Sequence, residues 1–297
     1  MDQDGELIFL GTGTSQGIPV IGCECEVCRS EDPRDKRSRS SVHFAFNGLG
    51  IQIDTGPDFR TQMLREGLHQ VDAVLFTHEH QDHIAGLDDI RPMIFRTKKA
   101  MPLFGQERVI ARIKQAFHYA FEEQPYPGAP KFDVYSIDEL DTLTIGNVDV
   151  QPIPVNHGQL PILGYRIGDI GYVTDVKTVP DSSLDKLQGL KTLVFDALHH
   201  YPHQSHCTLE EAVEWAKKID ADHTYFIHLS HHMGTHEQTE AQLPDGIHIA
   251  YDGLRLPVKL SYSPRIAPFT TTAFTACLVV LPIIGLLNAL LANPVQS

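Results

Sequence analysis

The chain has 297 residues, 42% hydrophobic and 21% charged, which suits one large domain or two small ones and excludes a largely disordered polypeptide. Its 24 Lys and Arg against 38 Asp and Glu give a formal net charge of −14, which argues against non-specific nucleic-acid binding because no net positive field would hold a phosphate backbone. A phosphate substrate is not excluded, because bound cations reverse the local sign, and 17 His, many in short clusters, point to such cations first.

Met1–Glu6 is acidic and leads into a short apolar run, so no export signal is expected. Leu7–Leu10 reads as a buried strand ending in the loop Gly11-Thr12-Gly13-Thr14-Ser15-Gln16-Gly17. No Lys-Ser/Thr follows these glycines, so the loop is not a nucleotide P-loop. Val42, Phe44 and Phe46 alternate up to the turn Asn47-Gly48, and Ile51 and Ile53 alternate on the return, a hairpin pattern. Val71–Phe76 is a further strand, with a helix start after Asp82. Val109, Ile110, Ile113, Phe117 and Phe121 stand at helical spacing and predict a helix over Glu107–Glu123. Tyr165–Ile167 and Tyr172–Thr174 flank the turn signal Gly168-Asp169-Ile170-Gly171, and Leu193–Phe195 is a short strand. Thr208 and Glu211 form a capping box that opens a helix to about Ile219. Tyr225–Leu229 and Ile247–Tyr251 are the late strands. Hairpins first and strand–helix alternation afterwards predict sheets packed on each other and flanked by helices, rather than a doubly wound parallel sheet.

These elements fall within residues 1–262. Residues 263–297 form an apolar tail with no charge after Arg265, and Ala273–Ala292 has the length of about 20 residues that a membrane helix needs. The tail is therefore expected either to span a membrane or to dock on the body. Cysteines stand at 23, 25, 28, 207 and 277, which is a metal knot in a reducing compartment rather than a disulfide framework.

The most specific signal is Thr77-His78-Glu79-His80-Gln81-Asp82-His83, directly after a strand. Residues two apart in extended chain point the same way, so His78 and His80 can converge on one ion. Asp82 and His83, where the chain turns into a helix, can face a second, and such ligands suit Zn, Mn or Fe. Cys23-Glu24-Cys25-Glu26-Val27-Cys28 offers three thiolates that hold a tetrahedral zinc if a fourth ligand arrives from elsewhere. Ser205-His206-Cys207-Thr208 sits at a helix start, a place that favours anions.

His-x-His-x-Asp-His resembles the hallmark of metallo-β-lactamase-fold hydrolases, and the pattern extends over most of Leu7–Gly253. The resemblance implies an α/β protein of the α+β type, an αββα sandwich of two mixed β-sheets flanked by helices, and a binuclear metal-dependent hydrolase. His157 in Pro154-Val155-Asn156-His157-Gly158, Asp175 after Tyr172–Thr174 and His228 after Tyr225–Ile227 match the later ligands in order. His78, His80 and His157 would hold one divalent ion and Asp82, His83 and His228 the other, with Asp175 bridging. Val176 follows Asp175 where many relatives have Thr or another small polar residue.

The glycine loop and the cysteine knot together resemble the PhnP-like phosphoribosyl cyclic phosphate phosphodiesterases. That resemblance implies a structural zinc on Cys23, Cys25, Cys28 and His231. It also places His206 beside the substrate phosphate, so that Asp82 and His206 are the expected catalytic residues. The implied reaction opens a small cyclic phosphate such as phosphoribosyl 1,2-cyclic phosphate, with two ions about 3.5–4 Å apart activating water. An RNase Z-like nuclease, another nucleotide phosphodiesterase and a non-hydrolytic protein like the B protein of PQQ biosynthesis are the alternatives. The segment Arg108–Lys131, with Phe117, Tyr119, Phe121 and Tyr126, departs from the phosphonate-pathway enzymes and reads as a core helix or as cover for the pocket. His232 and His236 read as surface residues or as supports behind the ligands, and His199, His200 and His203 as solvated loop residues. A small phosphorylated substrate is the expected partner, nucleic acid is not, and a homodimer is compatible with the sequence. The expected location is the cytoplasm, with the tail as a membrane tether.

Overall fold

Leu7, Ile8, Phe9 and Leu10 are all fully buried. Successive side chains of a strand point to opposite faces, so this strand must be covered on both sides. The computed structural model describes residues 3–137 and 142–260 and shows the two covers. Leu7 and Phe9 enter a core shared by two sheets, while Ile8 and Leu10 enter a second core under helices. The expected membrane helix Ala273–Ala292 lies outside the described residues, among which no helix is long and apolar enough to cross a membrane.

Strands β1 (Gln3–Gly11), β2 (Ser41–Phe46), β3 (Leu49–Ile53), β4 (Ala73–Leu75), β5 (Met101–Gly105) and β6 (Phe132–Ser136) lie side by side in chain order. A second sheet repeats the arrangement with β7 (Leu143–Ile145), β8 (Val148–His157), β9 (Leu160–Ile167), β10 (Ile170–Val173), β11 (Thr192–Asp196), β12 (His223–Ile227) and β13 (Ile247–Ile249). Strand β14 (Arg255–Leu260) returns to the first sheet and pairs antiparallel with β1. In each sheet the first pairings are antiparallel and the later ones parallel. Connection length explains the tight hairpins, since two-residue turns can make only antiparallel neighbours, whereas β1 reaches its antiparallel partner β2 through the long segment between Gly11 and Ser41. Phe46 pairs with Leu49 across Asn47-Gly48, and Ile167 with Ile170 across Gly168-Asp169.

One core lies between the sheets and two more lie under the outer helices, so the molecule is the expected αββα sandwich of two mixed sheets. On the second sheet the outer layer includes the helix Leu209–Ile219, opened by the expected Thr208–Glu211 capping box. Residues Met1–Pro264 form one compact unit.

The helix expected over Glu107–Glu123 ends sooner, at Ala116, and a 3-10 turn covers His118–Ala120. Tertiary contacts decide this. Phe117 leaves helical geometry at φ −115° to enter the core that Ile8 and Leu10 line, and the Tyr119 hydroxyl donates to Asp88 at 2.6 Å. Phe121 packs against the same core, so most of this aromatic segment is packing rather than pocket cover. Strands β5, β6, β7 and β14 carry no strong alternation and were not expected from the sequence.

Candidate metal centre

Strands β1, β3, β4, β8, β10, β11 and β12 all end at one edge of the sandwich, and the loops leaving them carry the chemistry. The open edge beyond the carboxyl ends of parallel strands is where such folds build their sites. Thr77–His83 follows β4, His157 ends β8, Asp175 follows β10, Asp196 ends β11 and His228 follows β12. Asp54, Asp175 and His228 have φ of 60°, 56° and 62°. Left-handed backbone costs a non-glycine residue on the order of 1–3 kcal/mol, and here it turns three side chains from the strand ends into one space.

Two groups of potential ligand atoms meet there. His78, His80 and His157 form one, and Asp82, His83, Asp175 and His228 form the other, each within 4.8 Å. Asp175 stands between them. Its Oδ1 lies 3.4 Å from His83 Nε2 and 3.2 Å from His228 Nδ1, while Oδ2 lies 3.8 Å from His78 Nε2. The structure thus brings together all seven residues expected to ligate the catalytic ions.

The donor set fits divalent metal. Nε2 of His78, Nε2 of His83 and Nδ1 of His228 are buried with no hydrogen-bond partner. A buried unpaired polar atom costs about 1–3 kcal/mol, so three of them facing one cluster of carboxylates fit a cation. Burial holds His78 well below the usual imidazole pKa and also lowers His157 and His228, leaving them neutral as metal ligation requires. At His83 burial is outweighed by Asp175, Asp82 and Asp54, which raise it well above its usual value. That negative well is what a divalent ion would fill.

Behind the ligands stand residues that sequence reasoning missed. Buried Asp54 accepts from His83 Nδ1 at 2.7 Å and from the backbone and hydroxyl of Thr77 at 2.9 and 2.8 Å. Thr77 Oγ1 lies 3.0 Å from His78 Nδ1, so one carboxylate steadies a ligand of each group. His157 Nδ1 donates to the Ser205 carbonyl at 2.9 Å, and Thr14 Oγ1 lies 3.2 Å from His228 Nε2. At Gly56 a Cβ would stand 2.2 Å from the Asp82 carbonyl, so only glycine lets the loop after β3 approach the motif. Arg108 pairs with Glu79 and also reaches the Pro161 carbonyl, tying the helix Glu107–Ala116 to the motif.

His206 is buried and one of its ring nitrogens lies within 4.8 Å of ligand atoms of His157 and Asp175. Its Nδ1 donates to buried Asp196 at 3.2 Å. Some 200 residues apart in sequence, Cys23, Cys25, Cys28 and His231 also converge, with His231 Nδ1 at 3.3 Å from Cys23 Sγ and 3.4 Å from Cys25 Sγ. Burial opposes ionisation of Cys25, but the Cys28 N–H and hydrogen bonds from His231 and the other thiols bring it down to about 6. The glycine loop serves this junction. At Gly13 a Cβ would meet Arg37 at 3.0 Å, and Thr14 N–H donates to the Leu229 carbonyl. His232 is exposed as expected, whereas His236 is buried, with Nδ1 at 3.3 Å from Arg37 Nη2 and its N–H on Asp35.

The β-lactamase superfamily domain matches residues 50–229, more than half the chain and all seven residues of the two groups. A solved structure described as a new diphosphatase from the PhnP family is 42% identical, with a TM-score of 0.82 over 88% of this chain and 99% of that one. An octanoyltransferase of Porphyromonas gingivalis is 40% identical over 249 residues, 83% of this chain. The chain spans only half the length of that relative, 50% of it. A coenzyme PQQ synthesis protein B of Methylobacterium radiotolerans is 27% identical over 64% of this chain and 72% of its own. The fold, the divalent-metal donor set and these likenesses agree, and the chain belongs to the β-lactamase superfamily and, within it, to the PhnP family.

Proposed function

We propose that the protein hydrolyses small phosphodiesters, with a cyclic phosphate ester such as phosphoribosyl 1,2-cyclic phosphate as its substrate class. The observation that carries this reading is the placement of His206. Its ring is pinned through Nδ1 on Asp196 and brings a nitrogen to the two ligand groups without belonging to either set of expected ligands. Burial opposes its charge, but Asp196 outweighs burial and pushes it up to about 9. A cationic N–H donor at this spot suits an anionic phosphoryl oxygen and can pass a proton to a departing alkoxide.

In this reading His78, His80 and His157 would hold one ion and Asp82, His83 and His228 the other, with Asp175 placed between the two groups. Imidazole with carboxylate suits zinc or manganese. When bound, the ions polarise the phosphoryl group and activate the attacking water. The chain itself fixes the ligand rings through Asp54, Thr77 and the Ser205 carbonyl, and keeps His78 neutral. Asp82, the partly exposed carboxylate of the set, aligns the water, and His206 serves the leaving group. Cys23, Cys25, Cys28 and His231 would hold a third, structural zinc, a reading that their convergence supports.

The likeness to a PhnP-family diphosphatase favours a second reading, cleavage of a diphosphate at the same site. An assay of metal-loaded protein against a cyclic phosphate, bis(p-nitrophenyl) phosphate, a dinucleoside diphosphate and a precursor tRNA separates the readings. Turnover of the cyclic phosphate is expected. Cleavage of the diphosphate or the RNA alone would overturn the primary reading.

A further inference from the structure

The loop between β11 and the helix Leu209–Ile219 carries imidazoles that the reaction leaves unused. From His206 a belt runs outward, with ring centroids 5.1 Å apart from His206 to His203 and 5.8 Å from His203 to His199. His206 itself stands 4.5 Å from the His157 ring, so the belt begins at the metal centre. It reaches solvent at His203, which is exposed, whereas His199 is half-buried and its ring stands 6.4 Å from that of His232.

The hydrogen bonding of the belt fixes what it offers. The Tyr201 N–H donates to His199 Nδ1 at 3.2 Å, and the Ser205 N–H donates to His203 Nδ1 at 3.3 Å. A backbone N–H can only donate, so each Nδ1 accepts and the ring proton of each neutral imidazole sits on Nε2. His199 and His203 therefore both present Nε2–H. The loop is held in place at several points, with Leu198 N–H on the Cys207 carbonyl, Cys207 N–H on Val176 and Leu209 N–H on His199. Donors fixed in this way lose little freedom on binding.

We propose that His199 and His203 form a specificity subsite that grips a second, distal phosphoryl group of the substrate, one sugar ring away from the ester being cleaved. The inference rests on the phosphodiesterase reading above. Two Nε2–H donors on the row of rings that starts at His206 match the acceptor oxygens of a phosphate monoester, and an uncharged ring end offers them nothing. Burial lowers both rings from the ordinary imidazole pKa.

The test compares phosphoribosyl 1,2-cyclic phosphate with ribosyl 1,2-cyclic phosphate, which lacks the distal phosphate, in wild type and in the double variant His199→Leu/His203→Leu. The preference for the phosphorylated substrate, as a ratio of kcat/KM values, should fall roughly 10–100-fold, mostly through KM. His203→Asn, at an exposed position, repeats the test in a protein whose folding is not in question. Unchanged preference in both variants overturns the subsite. If wild type opens neither ester, the phosphodiesterase reading has failed, and binding of ribose 5-phosphate to metal-loaded protein decides the subsite alone. Equal affinity in wild type and double variant would then overturn it.

Discussion

Asp54 serves both ligand groups although it ligates in neither. It accepts from His83 directly and steadies His78 through Thr77, and it is fully buried. Asp54→Ala should weaken metal binding by roughly 10–100-fold, as losses behind ligands do, read by competition with a chelator. Wild-type affinity would mean that packing alone orients the rings. His80→Ala and Asp82→Ala, which remove ligands themselves, should abolish hydrolysis, and activity within tenfold of wild type would refute the two-ion site. His206→Ala should lower turnover by roughly 10²–10⁴-fold while metal content stays constant. The ligands were legible in the sequence because four of them share one strand end. Asp54 and Asp196 were not, since the parallel pairings Ile53–Leu75 and Asp196–Ile227 that bring them in join distant segments.

At the scale of elements, hairpins and the capped helix were legible because a turn or a cap is written in adjacent residues. The end of the helix Glu107–Ala116 was not, because a contact with Asp88 decides it. The β2–β3 hairpin also holds a polar pair that no pattern announces. His43 faces Gln52 across the ladder, fully buried, with Nδ1 donating to Gln52 Oε1 at 3.1 Å. Burial lowers His43 from 6.5 to about 4, with Gln52 and Asp72 opposing and Arg255 assisting. Folded His43 thus binds its proton later than unfolded His43 does. Its contribution to stability is whole above about pH 6.5 and falls away as pH drops toward 4, by about 3 kcal/mol at the limit. In His43→Gln the urea midpoint should fall less between pH 7 and pH 4.5 than in wild type. Parallel profiles would show that other groups govern acid unfolding.

Across the whole molecule, residues from distant parts of the chain tie the two sheets together at the metal edge. If Ala273–Ala292 tethers the chain, full-length protein should fractionate with membranes, and protein truncated after Pro264, which keeps the compact unit whole, should not. Recovery of both in the same fraction would remove the tether. The tie most open to test is the cysteine knot. Cys23, Cys25 and Cys28 belong to the loop after β1 in the first sheet, whereas His231 follows β12 in the second. Three thiolates and one imidazole complete a tetrahedron, so the zinc proposed there has no open position and does no chemistry. It acts by place, because His231 lies three residues beyond His228 and the same loop sets Thr14 against the His228 ring. Cys25→Ser should therefore lose about one tightly held zinc per chain and unfold at lower temperature. Hydrolysis should survive at a reduced level and recover as free metal is raised, because the seven catalytic ligands remain. If the variant keeps its zinc content and its Tm, the knot is three ordinary thiols, and contacts such as Thr14 with His228 hold the loop unaided.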